Sequence, residues 1–194
     1  MTRLWTPLAD LLLRRGVSPD TVTITGTVVV VAAALSLFPT GHLLAGALVI
    51  AVFTLTDSLD GVMARRGGRS GPWGAFLDST LDRFADSAIF SGLVLWFIGR
   101  GDVRTSAVLA LTCLVLGSIV PYARARAEGL GLTADVGIAG RADRLILVLI
   151  GTALVGFGLP VVVLTVALAV LTVASGVTVG QRVATVRQQS RAAA

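Results

Sequence analysis

The chain has 194 residues, 55% of them hydrophobic and 14% charged, with a formal net charge of +5. Its mean hydropathy of +0.88 excludes an ordinary soluble globular protein and marks an integral membrane protein. One cysteine excludes a disulfide within the chain, and one histidine leaves little support for histidine-based catalysis. All 16 basic residues are arginine, which suits phosphate oxygens better than lysine does; no nucleic-acid partner is expected.

Residues 2–15 set Arg3, Thr6, Asp10 and Arg14 on one side and Trp5, Leu8, Leu11 and Leu12 on the other. That period predicts an amphipathic helix lying in the membrane interface. Arg3, Pro7 and Asp10 interrupt the stretch, so it does not read as a cleavable signal peptide. Gly16 stops the helix, and Ser18-Pro19-Asp20 turns the chain. Six apolar segments follow, at 21–38, 43–65, 74–98, 105–128, 144–158 and 160–181. Together they predict an all-α integral membrane protein with six transmembrane helices behind an N-terminal interfacial helix. The connections are short, which favours antiparallel neighbours. Residues 1–194 read as a single domain in which 21–181 is the six-helix bundle and 183–194 a frayed, basic, interfacial tail. Cys113 reads as a buried, inert thiol. Gly46, Gly92, Gly117, Gly151 and Gly156 read as close helix contacts.

Arginine counting orients the bundle. With both termini in the cytoplasm, most arginines fall on that side; Arg100 and Arg104 fall outside, and Arg83 lies within the third span.

Carboxylates are costly in such a chain and need a partner. Asp57 and Asp60 are i, i+3 and Asp78 and Asp82 are i, i+4, so each pair shares a helix face. Two helices presenting those faces to each other would form a nest for hard divalent cations. Asp86 continues the second face by another step and reads as an arginine's partner rather than a metal ligand. Arg83 reads as steering a carboxylate or a neighbouring helix.

Written out, the motif is Asp57-x2-Asp60-Gly61-x2-Ala64-Arg65-x8-Gly74-x3-Asp78-x3-Asp82. It resembles, with every spacing intact, the signature of the CDP-alcohol phosphotransferase family. The resemblance implies transfer of a phosphatidyl or similar group from a CDP-linked donor to an alcohol, with release of CMP. It implies that the four aspartates bind two divalent cations, magnesium or manganese, and that Asp82 is also the general base. It assigns the CDP-lipid to Asp20, Thr21, Val22, Thr23, Gly61, Ala64, Arg65, Gly71 and Gly74, and it suggests a homodimer. Asp20 and Thr21 read equally well as a helix cap.

Residues 121–145 resemble the equivalent segment of actinobacterial phosphatidylinositol-phosphate synthases, a branch of that family. This implies inositol 3-phosphate as acceptor, its phosphate held by Arg124, Arg144 and Arg182 with Arg126 and Arg141 nearby. Two positions depart from the branch: Arg124 stands where lysine is common, and Ala142 where proline is common. A phosphorylated polyol needs several converging cations, which arginines on different helices supply. The same arginines also satisfy the positive-inside rule, so either reading stands for any one of them. Asp143 and Glu128 are expected to orient arginines.

The expected reaction carries phosphatidyl from CDP-diacylglycerol to inositol 3-phosphate at the cytoplasmic face of the plasma membrane. Two alternatives remain at this point. One is a phosphatidylglycerophosphate synthase accepting glycerol 3-phosphate. The other is a divalent-cation transporter, against which the carboxylates gather near one membrane face.

Overall fold

The computed structural model describes residues 14–66, 71–100 and 103–192, and for residues 55–66 the backbone alone. The described residues form six α-helices and no strands: α1 (Pro19–Leu37), α2 (Leu43–Arg66), α3 (Pro72–Arg100), α4 (Arg104–Glu128), α5 (Arg141–Gly156) and α6 (Val162–Ala192). The interfacial helix expected over 2–15 lies, but for its last two residues, outside the described part.

Helix ends differ from expectation where polar side chains decide them. Ser18, not Asp20 or Thr21, caps α1: its hydroxyl accepts from the Thr21 amide at 3.2 Å, and Pro19 follows at the first turn. Helix α5 begins at Arg141 rather than 144 because Asp143 accepts from the Gly140 amide at 2.9 Å. Asp143 therefore caps its own helix instead of orienting an arginine. Helix α6 continues to Ala192, through residues expected to fray. Its late turns hold the 129–140 connection. Thr178 Oγ1 accepts from the Ile138 and Ala139 amides at 3.2 and 3.1 Å. The Gln189 amide group exchanges hydrogen bonds with the Thr133 backbone at 3.0 and 2.7 Å.

Among the described residues the principal packing partners close a ring: α1 on α2, α2 on α5, α5 on α6, α6 on α4, α4 on α3, and α3 on α1. The expectation of antiparallel neighbours holds for α1/α2, α3/α4 and α5/α6. Helices α4 and α5, which a 12-residue connection separates, are not among these principal partners. Two glycines permit the closest approaches. A Cβ at Gly92 of α3 would collide with the Ala34 carbonyl of α1, and one at Gly156 of α5 with the Leu44 backbone of α2. Phe38, Ile50, Ile89, Leu93, Phe97, Val148, Leu164 and Leu168 fill the interior. Cys113 is buried and unpaired by disulfide.

The outside is apolar as well. Val28, Val52, Ile98, Val115, Ile150 and Val170, one from each helix, all stand exposed. On α4 the outward run Val108, Leu111, Val115, Ile119 and Tyr122 follows the helical period. A bundle apolar within and without belongs in lipid. Among the described residues three helices, α1, α4 and α6, are long and apolar enough to cross a membrane. Helix α5 has 16 residues and so reaches about 24 Å, short of the roughly 30 Å hydrocarbon core. Helix α3 carries Asp78, Asp82, Arg83 and Asp86 in its first half.

Candidate active site

The carboxylates of α3 descend into the protein. Asp78 is exposed, Asp82 half-buried and Asp86 buried at 6% exposure. Steps of four residues keep them on one face, about 6 Å apart along the axis. Asp57 and Asp60 lie on the second half of α2, but their side chains, like those of Gly61, Ala64 and Arg65, are outside the described part. Among the described residues no three His, Cys, Asp or Glu side chains gather as a cation site. The expected donor set is made only of carboxylate oxygens, which fits a hard ion such as magnesium or manganese.

Asp20 ties the expected donor-binding segments together. Its carboxylate accepts from the Trp73 indole at 3.0 Å, joining the first turn of α1 to the first turn of α3. Residues 20–23 are thereby brought toward Gly71 and Gly74, where a Cβ would meet nothing within 4 Å. Val22 is half-buried. The Thr21 hydroxyl meets that of Ser18 at 2.8 Å, and the buried Thr23 hydroxyl donates to the Pro19 carbonyl at 3.1 Å.

Beside the aspartate face opens a cavity of about 410 Å³ between α3, α4, α5, α6 and the 129–140 connection. Arg83, Arg124, Arg141, Arg144 and Arg182 line it, against only Asp135 and Asp143 among acidic residues. Four of the five arginines expected to hold the acceptor are thus brought together. The remaining one, Arg126, is exposed and does not line the cavity.

Each arginine is held differently. Arg144, only 3% exposed, donates to Asp86 Oδ2 at 3.4 Å and to the Gly117 carbonyl at 3.1 Å. Arg182, also buried, donates from Nε to the Val136 carbonyl at 2.9 Å and from Nη1 to the Val120 carbonyl. Arg141 pairs with Asp82 Oδ1 at 2.8 Å and Asp86 Oδ1 at 3.3 Å. Arg124 is clamped by Glu128 at 2.9 Å and Asp135 at 2.8 Å. Arg83 reaches Asp82 and Asp86 only loosely, at 3.7 and 3.8 Å. Among the described residues two donors, Nε of Arg83 and Nε of Arg144, are buried without a hydrogen-bond partner. Unmet buried donors are costly, and an oxygen-rich anion in the cavity is the ligand type that would satisfy them.

Glu128 and Asp86 therefore partner arginines, as their positions suggested. Two charged lining residues were not expected. Arg83 was legible as a carboxylate's neighbour but not as a cavity wall. Asp135 sits in a connection without hydropathy signal, and only its contact with Arg124 reveals it.

The aspartate signature and the helical ring are those expected of a membrane phosphotransferase, and comparison with known proteins shows the family. Residues 16–179 match the family model described as CDP-alcohol phosphatidyltransferase, and the chain belongs to that family. It is 48% identical to the phosphatidylinositol phosphate synthase of Streptomyces avermitilis, over 97% of this chain and 80% of the relative. It is 47% identical to that of Cutibacterium acnes, over 96% and 93%. The crystal structure of Mycobacterium tuberculosis phosphatidylinositol phosphate synthase with CDP-DAG bound matches with a TM-score of 0.91 and 45% identity. That match covers 95% of this chain and 94% of the other. The same enzyme in complex with manganese and citrate matches with a TM-score of 0.91 and 45% identity, covering 94% and 88%.

Proposed function

We propose that the protein transfers the phosphatidyl group of CDP-diacylglycerol to a hydroxyl of inositol 3-phosphate, giving phosphatidylinositol phosphate and CMP. Family membership and near-half identity to synthases of that name support the reaction. The arginine-lined cavity supports a phosphorylated acceptor. The observation that carries the reading is the 2.8 Å pair between Arg141 and Asp82. It joins the cavity to the carboxylate expected to do the chemistry.

In this reading Asp57, Asp60, Asp78 and Asp82 hold two divalent cations, Mg2+ or Mn2+. When bound, these neutralise the pyrophosphate and stabilise charge on the transferring phosphorus. Asp20, Thr21, Val22, Thr23, Gly61, Ala64, Arg65, Gly71 and Gly74 receive the CDP-lipid. Arg124, Arg141, Arg144 and Arg182 hold the acceptor's phosphate and so present its hydroxyl toward Asp82. Asp82 takes the hydroxyl proton. The acceptor oxygen bonds to the phosphatidyl phosphorus, the bond to the bridging pyrophosphate oxygen breaks, and CMP leaves.

The bundle's apolar exterior supports six spanning helices. The arginine distribution supports an interfacial N-terminal helix, cytoplasmic termini and a cytoplasm-facing site in the plasma membrane. A homodimer is the assembly proposed.

The test is CMP release by purified protein given CDP-diacylglycerol, magnesium and either inositol 3-phosphate, free inositol or glycerol 3-phosphate. Release with inositol 3-phosphate alone is expected. Release with glycerol 3-phosphate alone overturns the acceptor, and no release with any acceptor overturns the reaction.

A further inference from the structure

Pro121 lies inside α4. A proline there has no amide to offer the carbonyl four residues earlier, and its ring pushes that carbonyl aside. The carbonyl in question belongs to Gly117, which is buried. A buried carbonyl without a donor is unfavourable, so another donor is needed. Arg144 of α5 supplies it, Nη1 donating to the Gly117 oxygen at 3.1 Å.

Gly117 itself lies beside the guanidinium. A Cβ at that position would stand 3.4 Å from Arg144 Nη1. The next carbonyl, Val120, adjoins the proline and accepts from Arg182 Nη1. Val120 and Pro121 both line the arginine cavity. The carbonyl that Pro121 leaves without an amide thus faces one buried guanidinium, and the neighbouring Val120 carbonyl holds another. Asp86 also pairs with Arg144, so the Gly117 carbonyl fixes that guanidinium without setting a second carboxylate against its charge.

We infer that Pro121 is a positioning residue for the acceptor: by withholding an amide from the Gly117 carbonyl, it lets that oxygen hold Arg144 in the cavity. The inference rests on the reading of the cavity as the acceptor-phosphate site. The competing account is that Pro121 only bends a membrane helix, which such helices tolerate. A merely structural proline would alter stability or both substrates alike, not the acceptor alone.

The experiment compares Pro121→Ala, Arg144→Ala and the double variant of the full chain. For each, KM for inositol 3-phosphate, KM for CDP-diacylglycerol, kcat and the thermal midpoint in detergent are measured. Alanine restores the helix hydrogen bond, so Pro121→Ala should fold with an unchanged or higher midpoint. Its acceptor KM should rise about tenfold while the donor KM stays within about twofold. The double variant should have an acceptor KM no higher than Arg144→Ala alone, because both changes act through one guanidinium.

An unchanged acceptor KM in Pro121→Ala, beside a raised one in Arg144→Ala, overturns the positioning role alone. So does an equal rise in both KM values in Pro121→Ala. An unchanged acceptor KM in Arg144→Ala overturns the cavity reading, and the positioning role with it.

Discussion

The four signature aspartates fall within 26 residues of chain, whereas the arginines lining the cavity run from 83 to 182 and come from four helices. The first group is spaced by the helical period and meets a requirement of chemistry. The second is assembled by packing and, in the proposed reading, meets a requirement of recognition. Their support differs accordingly. Asp78 and Asp82 retain some contact with solvent, while Arg144 and Arg182 are buried and rely on Asp86 and on the carbonyls of Gly117, Val120 and Val136. A reaction can be written into a short motif, but a cationic pocket inside an apolar bundle needs a scaffold that pays the desolvation cost of each guanidinium.

The comparison is broken most directly at Asp82. If the aspartates run the chemistry, Asp82→Asn should lower turnover about 10³-fold, in the range for loss of a general base. CDP-diacylglycerol binding, measured by equilibrium titration, should survive. Turnover within tenfold of wild type would move the base elsewhere.

Asp86 is where the two regions meet. It is buried and approached by Arg83, Arg141 and Arg144 at 3.8, 3.3 and 3.4 Å. Removing one partner of a buried ion cluster leaves uncompensated charge, so Asp86→Ala should cost about 3 kcal/mol of stability. Thermal unfolding in detergent reads this as a lower midpoint. Asp82→Asn should move the midpoint far less, which separates the supporting carboxylate from the reacting one.

Much of this was legible in the sequence, for reasons that differ by region. The helices and their breaks followed from hydropathy, because each apolar run is a local property. Helix α6 beyond residue 182 was not legible as ordered. Gln189 and Thr133 hold each other across 56 residues, and neither carries a hydropathy signal. The start of α5 was missed for a similar reason: Gly140 and Asp143 form a cap, but between Gly137 and Arg144 they read as loop. Asp86 was legible as an arginine's partner because it extends the Asp78/Asp82 face. That it gathers three arginines depends on α3 and α5 meeting across the ring.

Arg144→Ala sharpens the comparison at intermediate strength. Hydrogen bonds to charged groups contribute roughly 2 kcal/mol, so the acceptor KM should rise about 30-fold. The KM for CDP-diacylglycerol should stay where it is, since the bonds of Arg144 to Asp86 and to the Gly117 carbonyl reach none of the residues expected to hold the donor. A parallel rise in both values would merge the two regions into one.

Arg126 gives the smallest expected effect and separates a site from a charge count. It stands two residues beyond Arg124 on α4, about 200° around the helix. Gly117, Val120 and Arg124 recur at the i, i+3, i+7 positions of one face; Val120 and Arg124 line the cavity and Gly117 faces Arg144. Arg126 is turned away from them and exposed. Both arginines serve the positive-inside rule equally, so a pocket formed by net charge alone would feel the loss of either. A pocket formed by geometry would feel only the loss of Arg124. Arg126→Ala should therefore leave the acceptor KM within about twofold, as surface substitutions away from a site do, whereas Arg124→Ala should raise it. Equal effects from the two variants, measured in the CMP-release assay at fixed ionic strength, would show that the cavity attracts its acceptor through its field and not through the placement of its arginines.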